Sequence, residues 1–211
     1  MSAQNRTLAD LIKLALGALD ETPADNHYGA LLPEWINEGL QRMIMEGEGV
    51  EGAYMLTTTP GVRAYAVPNP PIVPGAITRI KLVTYDGRPL DEIRLLTHDF
   101  ISAGNGEPAG WTLWNNHIQL GPLPPSRAAQ LIIYFYREPA LLSVAEDTPE
   151  IPNRFRGYLA DYATSMMHVA DGHLQESQYF MASYEAGVKK YSQWTNEKGR
   201  QNFLQVQNLM E

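Results

Sequence analysis

The chain has 211 residues, 16 basic and 24 acidic side chains, and a formal charge of −8. Apolar residues make up 44% of it and charged ones 19%, so there is enough apolar surface to offset chain entropy, and a disordered protein is excluded. Cysteine is absent, which excludes disulfides, thiolate metal sites and thiol nucleophiles together.

Leu8, Leu11, Ile12, Ala15 and Leu19 form an apolar stripe at helical spacing. Thr7 stands just before it with Asp10 three residues on, a relative of the capping box, and a helix is predicted over 7–19. Asp20 to Asn26 reads as a loop. A second helix follows, with Pro33 suited to its first turn, Trp35, Ile36, Leu40, Met43 and Ile44 on one face, and Gly47 and Gly49 to end it.

From about 52 to 138 the pattern changes to short β-branched and aromatic segments separated by Pro and Gly. Strands are predicted at Tyr54–Thr59, Arg63–Val67, Ile77–Thr84, Ile93–Leu96, Trp111–Trp114, His117–Leu120 and Ala129–Tyr136. Asp86-Gly87 and Asn115-Asn116 offer tight primed turns, because these residues tolerate positive φ. Seven such strands predict an antiparallel sandwich or barrel-like block.

Helical spacing returns after Pro152 with Phe155, Tyr158, Leu159, Tyr162, Ala163, Met166, Met167 and Ala170. The chain is expected to turn at Asp171-Gly172. A fourth helix carries Phe180, Tyr184, Val188 and Tyr191 and is expected to end near Gly199. The predicted class is α+β: a four-helix bundle from 1–51 and 139–199, an inserted β domain over 52–138, and a C-terminal interaction arm at 200–211.

Met1 to Asp20 lacks the layout of a secretory signal. The apolar run Leu131–Tyr136 is far short of the ~20 residues of a spanning helix. Synthesis in the cytoplasm and no membrane partner are expected. Net charge is −5 over residues 1–50, −3 over 51–150 and zero over 151–211. No Lys/Arg cluster is large enough to neutralise several phosphates, which disfavours a tight grip on DNA.

Chemistry is sparse. His168 and His173 are five apart, which on a helix turns them about 140° from each other, and a metal role is not expected. Glu34 and Glu38 share a helix face at i, i+4, but read as a solvated acidic surface. Neither a nucleophile elbow, a phosphate-binding loop nor a dinucleotide fingerprint is present. No enzyme and no cofactor are expected.

Trp111 and Trp114, three apart in one strand, must face opposite sides of the sheet. One is expected in the core, and the other exposed or covered by a neighbour, where it could anchor a protein interface or stack on a sugar. A carbohydrate- or protein-binding module on the β block is therefore the alternative reading. Phe203, Leu204, Val206, Leu209 and Met210 lie in the tail beyond Gly199, apolar positions that call for a covering partner.

Two stretches carry a resemblance. One runs from Glu107 through Gly-Trp-Thr-Leu-Trp and Ile-Gln-Leu-Gly-Pro-Leu-Pro to Pro125, then Leu131–Arg137. The other is Asp147-Thr-Pro-Glu-Ile-Pro-Asn-Arg-Phe-Arg-Gly-Tyr-Leu-Ala-Asp-Tyr-Ala163. In this order, and within a helix–β–helix layout over roughly 7–198, they resemble the head-to-tail adaptors (connectors) of tailed bacteriophages, close to the tail-tubular adaptor type of short-tailed phages. The resemblance implies a structural ring, usually of twelve copies, that joins the capsid portal protein to the tail nozzle or tube and extends the DNA channel at the virion neck. It also implies that the helices and the arm at Phe203, Leu204, Val206, Leu209 and Met210 face the portal and neighbouring subunits, with the β-block loops toward the tail.

Overall fold

The computed structural model describes residues 6–20, 27–69, 72–93, 104–125 and 127–208. They divide between two compact units, one drawn from 1–50 and 138–211 and the other from 51–137. The class is α+β, with four helices among the described residues and one curled, mixed sheet of seven strands.

In the helical unit, α1 spans Leu8–Gly17. Its start is fixed as the sequence predicts. The Asp10 N–H donates to Thr7 Oγ1, and the Asp10 carboxylate accepts the Thr7 N–H at 3.0 Å, a complete capping box. Helix α2 spans Leu31–Glu46 with Pro33 in its first turn, and stops at Gly47, after which Glu48 and Gly49 take positive φ. Helix α3, Asn153–Ala170, starts directly after Pro152, and Gly172, at φ 78°, makes the turn into α4.

Helix α4 departs from expectation. It spans Leu174–Asn208, 35 residues, and passes through Gly199 without stopping. A lone glycine costs a helix interior only about 1 kcal/mol relative to alanine, which the good helix formers around it (Glu197, Lys198, Arg200, Gln201) offset.

Helix α3 packs against α1, α2 and α4. Leu11, Ala15, Leu32, Ile36, Leu40, Met43, Leu159, Ala163, Met167 and Tyr184 form its fully buried core. Helices α3 and α4 run antiparallel and close: a Cβ placed on Gly187 would lie 2.3 Å from the Tyr158 ring, so only glycine fits there.

The β unit holds β1 (Val50–Thr57), β2 (Ala64–Ala66), β3 (Ile77–Tyr85), β4 (Arg88–Glu92), β5 (Gly110–Trp114), β6 (His117–Gly121) and β7 (Gln130–Arg137), in the order β1-β7-β3-β4-β5-β6-β2. The consecutive strands β1 and β2 are thus the two edges. Their six-residue link is hydrogen-bonded to β7's approach at one end (Thr58 N–H to Ala129 O, 2.8 Å) and to β6 at the other (Leu120 N–H to Arg63 O, 3.1 Å), which curls the sheet.

Two strand expectations are corrected. The strands form one mixed sheet rather than an antiparallel sandwich, since Asp91 and Glu92 of β4 pair in parallel with Gly110 and Trp111 of β5. Strand β4 at Arg88–Glu92 is unexpected; of the strand expected at Ile93–Leu96, Ile93 lies just after β4 and outside any strand, and 94–96 lie outside the described residues. Pro89 and three charges disguise β4. The proline is tolerated because β4 meets β5 only at Asp91 and Glu92, past the position where a missing N–H would matter.

Both predicted turns form: Asp86-Gly87 (φ 51° and 79°) joins β3 to β4, and Asn115-Asn116 (φ 48° and 59°) joins β5 to β6. The core here is Tyr65, Val83, Tyr85, Leu90, Trp111, Ile118, Leu120, Leu131, Ile133 and Phe135.

Candidate assembly surfaces

In the β5–β6 hairpin, alternation puts Trp111 in the core at 4% exposure and Trp114 on the outward face at 55%. Leu113 shares the parity of Trp111 but lies past the end of the core, 48% exposed. The tip therefore shows an apolar side chain on each face. Its turn is braced by His117, whose Nδ1 lies 2.8 Å from the Asn115 carbonyl. Of the two indoles, Trp114 is the one open to a partner.

Glu107, before β5, is gripped by two guanidinium groups. Arg88 donates to one oxygen, and Arg127 donates to the other at 3.0 Å and to Asp86 at 2.8 Å. The hydrogen bond from Arg88, then that from Arg127, hold the Glu107 carboxyl below its ordinary range. The cluster ties together the β3–β4 turn and the segments before β5 and β7. No spacing rule links positions 86, 88, 107 and 127, so the sequence carries no signal for it.

In the helical unit, Phe155 meets Tyr191 edge to face and Trp194 at a tilt, with ring centroids 5.4 and 5.9 Å apart, in the first turn of α3. Gly47, the cap of α2, lies against Tyr191 and Thr195. Helices α2 and α3 thus end level with Thr195, and the remaining 13 residues of α4 run past both, about 20 Å at 1.5 Å per residue. Phe203, Leu204 and Val206 belong to this extension; their side chains, and Leu209 and Met210 altogether, lie outside the described residues.

The residues weighed for chemistry are scattered. His168 is buried and stacked on Phe180, centroids 5.4 Å apart, and its carbonyl accepts the His173 N–H at 2.8 Å. Glu34 and Glu38 are exposed on α2. Glu38 bonds the Tyr162 hydroxyl, whose pKa burial, and then this carboxylate, push up to about 12. Among the described residues no three metal-ligating side chains converge, and no helix is long and apolar enough to cross a membrane.

The family described as SU10 adaptor protein matches residues 6–206. The chain belongs to that family, and is a bacteriophage head-to-tail adaptor, a structural protein of the virion and of tail assembly. No curated protein matches the chain.

Proposed function

We propose that the chain is a non-enzymatic ring subunit, twelve to a ring, at the virion neck. It joins the portal protein to the tail nozzle or tube and extends the channel through which DNA passes. The observation that carries this reading is the family match over 6–206. In it, the four helices pack as one bundle, and the α4 extension with Phe203, Leu204, Val206, Leu209 and Met210 docks on the portal.

Charge supports the same reading. The net −8 suits a channel that must release DNA, because a strongly basic lumen would hold it through counterion release. The protein is made in the host cytoplasm and assembles onto the filled head.

The test is negative-stain imaging of the protein mixed with purified portal of its phage. Ring density beneath the portal is the expected result. Absence of that density, together with failure to co-purify with the portal, overturns the proposal.

A further inference from the structure

The helical unit gathers positive charge on one side, in a chain whose net charge is −8. Arg154, Gly157 and Asp161 recur at i, i+3 and i+7 on α3, on the side away from its buried Leu159 and Ala163. Arg6 lies across Gly157, where a Cβ would fall 2.5 Å from its Nη1. Arg154 sits over the Phe155 and Trp194 rings, 4.7 and 5.2 Å from their centroids. Lys190 lies over the Tyr158 ring and donates to its hydroxyl at 3.1 Å. Lys13, on α1, lines the same groove as Asp161.

These four cations are exposed, and among the described residues none has a carboxylate within ion-pair distance. Two carboxylates lie close by, and both are occupied. Asp10 accepts the Thr7 N–H and hydroxyl, and Asp161 accepts the Ser183 hydroxyl at 2.7 Å. The local balance stays positive, and the aromatic rings hold Arg154 and Lys190 in place before any partner arrives. Between α1 and α3 the same side is grooved. Leu14, Gly17, Ala18 and Ala160 line it, and a Cβ on Gly17 would meet nothing within 4 Å.

Helix α2 carries the complementary face. Leu31, Glu34, Glu38, Gln41 and Met45 are exposed and share one side, away from its buried Leu32, Ile36, Leu40 and Met43. Glu34 has no cation partner among the described residues, and Glu38 is bonded to the neutral Tyr162 hydroxyl, which leaves its charge in place. Arg42 borders this stripe but is paired with Glu185 at 3.9 Å. Because α2 and α3 pack on each other, faces turned away from their shared core look in opposite directions. One copy cannot bring them together, whereas successive copies in a ring can.

We propose that the Leu31–Met45 stripe of α2 in one copy lies in the α1/α3 groove of the next, with Glu34 and Glu38 against Arg6, Lys13, Arg154 and Lys190. This rests on the ring reading and names the surfaces that join successive helical units. The occupant is a second copy of this chain because the groove's cations and the stripe's carboxylates are not ion-paired within the chain and lie on opposite sides of it. Exposed ion pairs add little affinity. Burial of Leu14, Leu31 and Met45 supplies it, and charge sets orientation and register.

Charge reversal is the test. Arg154→Glu with Lys190→Glu turns the groove side negative, and Glu34→Lys with Glu38→Lys turns the stripe positive. Each two-site variant, and a chain with all four changes, is mixed with purified portal and imaged in negative stain. Neither two-site variant is expected to form rings, and the four-site chain is expected to recover them. Rings from either two-site variant overturn the pairing, and so does a four-site chain that forms none.

Gly17→Gln is a second arm. It replaces a glycine at the end of α1, where φ is not positive, by a better helix former, so the Tm is expected to hold while the side chain fills the groove. The concentration needed for ring formation is expected to rise about tenfold or more, as for a disrupted interface centre; unchanged assembly overturns the pairing. No ring density with the unmodified chain overturns the ring reading as well. Rings from the unmodified chain and from every variant overturn this pairing alone.

Discussion

Tyr184, in the first third of α4, donates its hydroxyl to the main-chain carbonyl of Gly39, at the middle of α2, at 2.8 Å. Both groups are buried. The contact is possible because Gly39 has no side chain: a Cβ there would lie 3.1 Å from the Tyr162 ring, which itself packs at a tilt on Tyr184 with centroids 4.9 Å apart. One glycine thus lets two tyrosines from α3 and α4 meet over α2.

Tyr184→Phe keeps the ring and removes the hydrogen bond. The Gly39 carbonyl sits inside a helix and keeps its own ladder partner, so the expected cost is that of one net hydrogen bond, about 1 kcal/mol. In a protein of this size that is a fall in Tm of about 2–4 °C. Gly39→Ala gains about 1 kcal/mol of helix propensity but brings a Cβ to 3.1 Å from the Tyr162 ring. It is expected to lose more than it gains, and more than Tyr184→Phe does, because the buried tyrosine pair must shift. Calorimetry of both variants checks the order; a Gly39→Ala protein more stable than Tyr184→Phe would contradict it.

The same tyrosines set an alkaline limit. Burial pushes the hydroxyls of Tyr162 and Tyr191 up to about 12, and that of Tyr184 further. In the unfolded chain a tyrosine titrates near 10. Between these values the unfolded state has lost protons that the folded state retains, so stability falls as pH rises. It is full below about pH 10 and is lost as pH approaches about 12. Denaturant midpoints from pH 8 to 11.5 measure this, and Tyr191→Phe is expected to flatten the slope.

The Asn115-Asn116 turn joins β5 to β6 with both residues in the left-handed region. Asn116→Gly is expected to be neutral or to stabilise by a few tenths of a kcal/mol, because glycine meets no steric cost there. Asn116→Val is expected to destabilise by about 1–2 kcal/mol, the cost of forcing a β-branched residue to positive φ. Urea midpoints of the two variants decide it.

What could be read from the sequence follows from how local each cause is. The Thr7–Asp10 cap, both primed turns and the helix start at Pro152 are set by residues within four positions of one another. The split between Trp111 and Trp114 needs only strand alternation. Strand β4 escaped because its pairing, antiparallel to β3 and parallel to β5, is decided by partners far along the chain, while its own residues include a proline and three charges. The Glu107 cluster escaped for the same reason, since it does not exist until the strands are ordered. Gly199 misled because a residue that often follows a helix is read as a stop even where nothing else ends the helix.

That continuation governs the last prediction. Phe155 meets Trp194 at the first turn of α3, and Gly47 closes α2 beside Thr195, so residues 200–208 extend α4 beyond both neighbouring helices. Deleting 200–211 therefore removes no residue of the described core. The expected result is a Tm within about 2 °C of the full chain, since changes away from packed features stay within about ±0.5 kcal/mol, and a far-UV circular dichroism loss of about two turns of helix. Affinity for the purified portal is expected to fall at least tenfold. A truncated protein that melts much earlier yet still binds the portal would place the extension in the fold and take it out of the docking surface.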